Sequence, residues 1–215
     1  MDQALKALSS SYKKIRPEIK KRLSEFRPIH KSDNRKIFSE LCYCILTANA
    51  SAVRCNEAIG QLEKRDLLLK GEPKDIRLIL RGRARFHNKK ADYIVGARKL
   101  FKSSGVLDIK SKLVAGDVIK VRDWLVENIK GFGYKEASHF LRNIGLGKNM
   151  AILDRHILKN LKKYGVIKKV PDSVGSRRVY LEIEDRMRVF SRKTGIPLED
   201  IDLLFWSMQT GFVFK

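Results

Sequence analysis

Apolar residues recur along this chain at helical spacing rather than at alternate positions. Residues 2–24 place Leu5, Leu8, Tyr12, Ile15 and Ile19 on one face, and Arg27-Pro28 ends this predicted helix. An apolar stripe follows an Asp33 cap and is typical of a central helix up to Leu46. Further helices are predicted over 52–64, 73–82, 88–102, 118–128, 134–143, 153–164, 176–193 and 197–208. Segment 103–117 is loop-rich, no strand-like alternation stands out, and the pattern predicts an all-α fold.

One stretch, from Trp124 to His156, combines helix ends with unusual turn chemistry. A tight hairpin, Ile129 to Gly133, separates two predicted helices, and its two glycines suit positive φ and close backbone approach. The first N–H groups of a helix have no partners within the helix, so the start of the second helix is suited to binding a phosphate. Gly131 and Gly133 are therefore predicted phosphate contacts.

Two charged residues follow this hairpin at notable positions. Lys135 lies in the first turn of the second helix, where a cation is unfavourable to the helix dipole. Asp154 follows nineteen residues later, near the start of the next helix. Taken alone, Lys135 is compatible with a simple phosphate contact and Asp154 with a helix N-cap.

Composition indicates a polyanionic partner. The 215 residues are 43% hydrophobic, enough for one compact domain or two small lobes, and carry a formal charge of +22. A thermophilic surface or an anionic membrane would be alternatives, but a thermophilic surface usually balances its charges. Apolar runs far shorter than about 20 residues predict no membrane span and a cytoplasmic, nucleoid-associated protein. Cys42, Cys44 and Cys55 lack metal-site spacing and are predicted to be reduced and mostly buried.

The hairpin, Lys135, Ala137 and the run Ile152 to His156 resemble the helix–hairpin–helix DNA glycosylases. The short chain, the absence of iron–sulfur cysteines and the tail Gly211 to Lys215 are most similar to the archaeal-type 8-oxoguanine enzymes of that superfamily. The resemblance implies two helical lobes flanking a cleft, formed by 33–130 and by 1–32 with 131–215. It places the helix–hairpin–helix motif at 118–144, followed by a glycine-rich loop and a catalytic aspartate.

The same resemblance implies roles for the charged residues. Lys135 would attack the deoxyribose C1′, expel the base and form a Schiff base, after which β-elimination breaks the strand. Asp154 would stabilise positive charge developing on the sugar and relay protons. His156 and Arg155 are expected at DNA phosphates, although His156 also suits a half-buried helix position. Asn49 is expected to enter the duplex as a wedge, with an ordinary turn asparagine as the alternative.

Base recognition is less well defined by the sequence. Phe86, in an arginine-rich loop, and Trp206, on the last helix, are proposed to sandwich a flipped purine. Lys215, through its side chain or carboxylate, is proposed as a polar contact. Core packing of Trp206, with Asp202 exposed, is the competing interpretation. His139 is expected to be structural, and Arg81, Arg83 and Arg85 to contact phosphates or solvent.

The resulting hypothesis is a bifunctional glycosylase and AP lyase that acts on 8-oxoguanine in double-stranded DNA. It is expected to be a monomer that needs no organic cofactor or metal, with a monovalent cation as an option at the carbonyls of Ile129 and Phe132. One alternative is a non-catalytic helix–hairpin–helix module in which Lys135 only contacts phosphate. Another is a glycosylase for alkylated or mismatched bases.

Overall fold

The structure, a computed structural model, describes residues 3–113 and 116–215, and helices dominate it. A short 3₁₀ helix, Ile29–Lys31, follows the first helix. In chain order the helices are α1 Gln3–Phe26, α2 Asn34–Thr47, α3 Ala52–Lys64, α4 Leu67–Lys70, α5 Pro73–Leu80, α6 His87–Phe101, α7 Lys110–Leu113, α8 Val118–Asn128, α9 Tyr134–Asn143, α10 Arg155–Lys163, α11 Arg177–Thr194 and α12 Leu198–Thr210. The predicted all-α class is confirmed.

Local capping explains where several helices begin. The Asp33 carboxylate accepts a hydrogen bond from the Lys36 amide at 2.8 Å, as the sequence predicts for the start of α2. Ser51 and Ser176 cap α3 and α11 in the same way. Pro73 is the first residue of α5, where its missing N–H costs no helical hydrogen bond.

The predicted loop 103–117 contains short elements that hydrophobic periodicity does not detect. Two-residue strands, β1 Lys102–Ser103 and β2 Val106–Leu107, pair in an antiparallel hairpin. Ser104 and Gly105, both at positive φ, form its two-residue turn. The single-turn helices α4 and α7 are also absent from the prediction. Residues 114–115 of this loop, and residue 2 of the predicted first helix, lie outside the described residues.

Buried side chains form two hydrophobic clusters. One cluster draws mainly on α2, α3, α5, α6 and α8, and the other on α1, α10, α11 and α12. Helix α9 borders both clusters, because Phe140 packs into the first and Tyr134 into the second. This helix, which carries Lys135, therefore lies between the two cores. The predicted lobe boundaries remain a prediction.

Two glycines permit close approaches around α9. Gly131, at φ +89°, lies against the ring of Tyr93, where a Cβ would come within 2.6 Å. Gly145, at φ +82°, lies against the backbone of Arg27, also at 2.6 Å from a Cβ. A side chain at either position would combine backbone strain with a steric clash. The two glycines thus hold both ends of α9 close to neighbouring elements.

The three cysteines are buried with free thiols, in agreement with the predicted burial. None of the helices described in residues 3–113 and 116–215 combines the length and the hydrophobicity that a membrane span requires.

Candidate active site

A cavity of about 430 Å³ opens where several helix ends meet. Its walls come from the turn between α2 and α3, one face of α9, the start of α10, helix α12 and the C-terminal tail. A volume of this order is within the range of small-molecule sites. The residues that matter chemically in its lining are Lys135, His139, Arg142, Asp154, His156, Asp202, Trp206, Phe212, Phe214 and Lys215.

Lys135 enters this cavity from the first turn of α9. Its side chain is 20% exposed, and its Nζ lies 3.6 Å from the Glu136 carboxylate, too far for a strong hydrogen bond. His139 and Arg142 follow at the i+4 and i+7 positions and line the same cavity. One face of α9 therefore presents three nitrogen-bearing side chains to the cavity.

Asp154 is the N-cap of α10 and also lines the cavity. Its carboxylate accepts a hydrogen bond from the Ile157 amide at 2.8 Å. Because the cap fixes the side chain while leaving it half-buried at the cavity, the two roles considered from the sequence coexist geometrically. The structure thus brings Lys135 and Asp154, from different helices, to one site.

The buried part of the cavity lining is polar. Asp202 is only 7% exposed, with its carboxylate 3.5 Å from an Arg142 guanidinium nitrogen. Burial raises the pKa of Asp202 to about 6. The Arg142 charge lowers this pKa, the Asp154 charge raises it further, and the Lys135 charge lowers it. The competing interpretation, in which Trp206 packs in the core and Asp202 is exposed, is therefore wrong about Asp202, which is buried.

His139 is a second unusual group in this lining. It is buried, and neither ring nitrogen has a hydrogen-bond partner. Burial lowers the pKa of His139 well below its usual range, and the charges of Lys135, Arg142 and Lys215 lower it further. Two unpaired, buried ring nitrogens are unusual in a protein interior, where most buried polar atoms are hydrogen-bonded.

Aromatic side chains form another wall of the cavity. Trp206 is half-buried and packs edge-on against Phe212, with centroids 5.3 Å apart, and stacks on Phe214 at 6.1 Å. Phe86 is not among the cavity-lining residues: it is 55% exposed, at positive φ, with the Arg85 guanidinium over its ring. The predicted pairing of Phe86 with Trp206 is therefore not formed, because Phe86 belongs to an exposed loop at the start of α6.

Lys215 reaches the cavity but its ammonium group is already paired. Its Nζ donates to the Glu40 carboxylate at 3.0 Å and lies over the Tyr43 ring at 4.4 Å. The Tyr43 hydroxyl donates to the Lys215 carbonyl at 3.2 Å, and Asn143 donates to the other Glu40 oxygen. These contacts hold the tail, and with it Phe214, against α2 and α9.

Asn49 occupies an exposed turn beside the cavity. It has φ +53° in the link between α2 and α3, next to Thr47 and Ala50, which line the cavity. Buried Lys90 supports this turn by donating to the carbonyls of Leu46 at 2.7 Å and Ala48 at 2.6 Å. The predicted wedge residue therefore has a fixed backbone and an exposed side chain.

The predicted phosphate contacts differ in their freedom to bind an anion. Arg155 is exposed, and His156 is half-buried at the cavity with its Nδ1 unpaired. Exposed Gly131 has positive φ, whereas Gly133 is extended and donates its amide to the Glu136 carboxylate at 3.2 Å. A phosphate at the Gly133 amide would have to displace that carboxylate.

The hairpin carbonyls proposed for a monovalent cation are partly used. The Ile129 carbonyl accepts the Phe132 amide at 3.1 Å, which leaves one lone pair for a cation. Among the described residues, no group of three or more His, Cys, Asp or Glu side chains could hold a metal ion. The cation at Ile129 and Phe132 stays a prediction.

Sequence reasoning assigned no role to four cavity residues, Arg142, Asp202, Phe212 and Phe214, or to Glu40, which holds Lys215 at the cavity. Helical spacing carried a usable signal for two of them. Arg142 lies seven residues after Lys135 on one helical face, and Asp202 lies four residues before Trp206 on another. Glu40 and the phenylalanines of the tail depend on contacts between distant segments, which spacing does not reveal.

Comparison with known proteins places this geometry in a family. The family model described as 8-oxoguanine DNA glycosylase matches residues 19–196. The chain belongs to this family. A Fusobacterium nucleatum relative, named 8-oxoguanine DNA glycosylase/AP lyase, is 41% identical over 206 residues, covering 95% of this chain and 94% of that protein. The resemblance stated from the hairpin, Lys135 and the run to His156 is confirmed.

Solved structures of 8-oxoguanine DNA glycosylases share the fold. The crystal structure of the Thermotoga maritima enzyme matches with a TM-score of 0.88 at 33% identity, covering 99% of each chain. The Methanocaldococcus jannaschii glycosylase/lyase, in complex with a 15mer DNA containing 8-oxoguanine, matches with a TM-score of 0.86 at 36% identity. That match covers 97% of this chain and 100% of the other.

Asp202 provides a pH-dependent prediction for this glycosylase. The pKa of Asp202 is higher in the folded state than its usual value, so the folded state binds a proton more tightly than the unfolded state. The stability that this protonation contributes is complete at low pH and is lost as pH rises through about 6. Asp202→Asn should therefore gain up to about 3 kcal/mol in unfolding free energy, relative to wild type, between pH 4 and pH 7.5. Urea unfolding at both pH values measures this gain.

Asp172→Asn, at an exposed carboxylate in the loop before α11, is the matched control for Asp202→Asn. Because this side chain is exposed, the substitution should change the unfolding free energy by less than about 0.5 kcal/mol. A difference between Asp202→Asn and wild type that stays constant with pH would contradict the burial of an ionisable Asp202.

Proposed function

We propose that this protein excises 8-oxoguanine from double-stranded DNA and then cleaves the abasic strand, with Lys135 as nucleophile. The observation that carries this proposal is that Lys135 and Asp154 share one cavity with an aromatic wall and a buried polar lining. A flipped nucleoside needs these parts together: a reactive group at its sugar and a pocket for its base.

The predicted enzyme class, DNA N-glycosylase and AP lyase, is confirmed by curated relatives that carry both activities in their names. Their similarity covers more than nine-tenths of this chain. This full-length similarity argues against the non-catalytic helix–hairpin–helix module. The names also favour 8-oxoguanine over alkylated or mismatched bases.

Lys135 supplies the chemistry at the sugar. Its neutral amine attacks C1′, the C1′–N9 bond breaks, and the base leaves with the bonding pair. Loss of a proton from the amine and opening of the sugar ring give a Schiff base at C1′. Removal of a C2′ proton then expels the 3′ phosphate by β-elimination. Hydrolysis of the remaining imine regenerates the lysine.

Asp154 supplies a negative charge beside the sugar, where positive charge develops during the reaction. As the C1′–N9 bond lengthens, the sugar becomes cationic, and a fixed carboxylate beside it lowers the energy of that state. The hydrogen bond from the Ile157 amide sets the direction of this carboxylate before substrate arrives. A carboxylate at this position is also suited to accept a proton from the attacking amine.

The base would occupy the interior of the cavity. The face of Trp206, supported by Phe212 and Phe214, suits stacking on a purine. The buried groups of His139, Arg142 and Asp202 suit the donors and acceptors at its edge, and Lys215 adds the polar contact proposed from the sequence. In this arrangement Phe212 and Phe214 support Trp206, and Phe86 lies outside the cavity.

The remaining proposed contacts hold the duplex. A net charge of +22 favours DNA binding that weakens steeply with salt. Gly131, Gly133, Arg155 and His156 are proposed at phosphates. Extruding a nucleotide costs a few kcal/mol, which Asn49 would partly offset by filling the gap in the duplex.

Lys135→Gln tests the proposed function. This variant should bind a duplex containing one 8-oxoguanine but cleave it at least about 1,000-fold more slowly, because the nucleophile is absent. Lys130→Gln, at an exposed lysine of the same hairpin, is the matched control and should retain cleavage within a few-fold. Single-turnover cleavage and a binding titration measure both effects. Cleavage by Lys135→Gln at the wild-type rate would remove Lys135 from the mechanism.

Trp206→Ala tests the assignment of the base pocket. Loss of stacking should slow 8-oxoguanine excision by about 10-fold or more, while cleavage at a pre-formed abasic site, which needs no base contact, changes little. Phe86→Ala, outside the cavity, should change the two rates in parallel. Equal losses on both substrates for Trp206→Ala would place the base elsewhere.

A further inference from the structure

The segment that leads to Asp154 runs along one face of α11. Residues 149–153 have no helical structure and pair with no strand, so their backbone groups need other partners. Three side chains at i, i+4 and i+8 on α11 supply several of those partners. They are Tyr180, Glu184 and Arg188.

These α11 side chains form hydrogen bonds with every second residue of the segment: Asn149, Ala151 and Leu153. Arg188 donates to the Asn149 carbonyl at 2.9 Å, and the Ala151 amide donates to Glu184 at 2.8 Å. The Tyr180 hydroxyl donates to the Ala151 carbonyl at 2.6 Å and accepts the Leu153 amide at 3.3 Å. Side chains of α11 therefore act as a neighbouring strand would, and they fix the backbone immediately before Asp154.

The same groups also contact the helix that carries Lys135. The Tyr180 hydroxyl lies 3.4 Å from the hydroxyl of Ser138, which is three residues after Lys135 on α9. Arg122 of α8 donates to both Glu184 and Ser138, and all four of these polar residues are fully buried. One rigid network thus connects the segments of the two proposed catalytic residues.

We propose that Tyr180 is a positioning residue, which sets the Asp154 carboxylate relative to Lys135 through its hydroxyl contacts to Ala151 and Leu153. This proposal rests on the proposed function, because it assigns Tyr180 an effect that passes through Asp154. Tyr180 does not line the cavity, so it is not assigned a contact with DNA. Glu184 supports the same segment through the Ala151 amide.

A double-mutant cycle between Tyr180→Phe and Asp154→Asn tests the proposal. Tyr180→Phe keeps the ring and removes only the hydroxyl. In the wild-type background it should slow single-turnover excision of 8-oxoguanine by about 10- to 100-fold, since small misplacements of catalytic groups have effects of this size. In the Asp154→Asn background the same change should slow excision by less than about 3-fold, because the positioned carboxylate is gone.

Tyr12→Phe is the matched control. It also removes a buried hydroxyl, one that donates to Asp200 at 2.7 Å, and Tyr12 does not line the cavity. This control should leave excision within about 2-fold of wild type in both backgrounds. Thermal unfolding of each variant verifies folding, and DNA affinity should be unchanged by Tyr180→Phe.

Three results would overturn the proposal. Equal slowing by Tyr180→Phe in both backgrounds would make its effect independent of Asp154. Wild-type excision by Tyr180→Phe alone would show that the hydroxyl positions nothing that limits the rate. Absence of excision by the wild-type protein would instead refute the proposed function, and this inference with it.

Discussion

A buried ion pair between Arg122 and Glu184 connects the elements on which the candidate site depends. Both side chains are completely buried, and two hydrogen bonds of 2.8 and 3.2 Å join them. Removing one partner of such a pair typically costs about 3–5 kcal/mol, because the other charge stays buried and unpaired. Here each partner has further contacts: Arg122 with Ser138, and Glu184 with the Ala151 amide and the Arg188 guanidinium, which would keep Glu184 paired if Arg122 were removed. The pair therefore fixes α9 relative to the segment before Asp154.

The cavity follows from this constraint and from a second one at the C-terminal tail. Glu40 holds Lys215, and the tail then brings Phe212 and Phe214 beside Trp206. The proposed nucleophile and carboxylate come from two consecutive helices, α9 and α10, whereas the aromatic wall comes from α12 and the C-terminal tail. Burial in this cavity lowers the pKa of His139 and raises the pKa of Asp202, and each shift favours the neutral form of the group. The cavity thus combines the half-buried charged groups of Lys135 and Asp154 with buried polar groups whose protonation depends on their burial.

The amino-acid sequence predicted the regular part of this structure well. Apolar periodicity, the Asp33 cap and the proline at the start of α5 have local causes, so the helices were predictable to within a few residues. Lys135 and Asp154 stand out in the sequence because the hairpin and the interval between them form a recognisable motif. The cavity partners are harder to predict from the sequence. An aromatic residue in a basic loop, such as Phe86, has the same local sequence pattern whether it faces a pocket or solvent. Only tertiary packing places it outside the cavity and brings the tail in.

The central claim is that Lys135 forms the covalent bond to DNA, and borohydride trapping followed by peptide mapping tests it most directly. Wild-type protein would be incubated with a duplex carrying one 8-oxoguanine, reduced, digested and sequenced by mass spectrometry. The account predicts one adduct, on the peptide containing Lys135, with the deoxyribose C1′ joined to Nζ as a secondary amine. An adduct on another lysine, or no adduct while the base is still released, would contradict it.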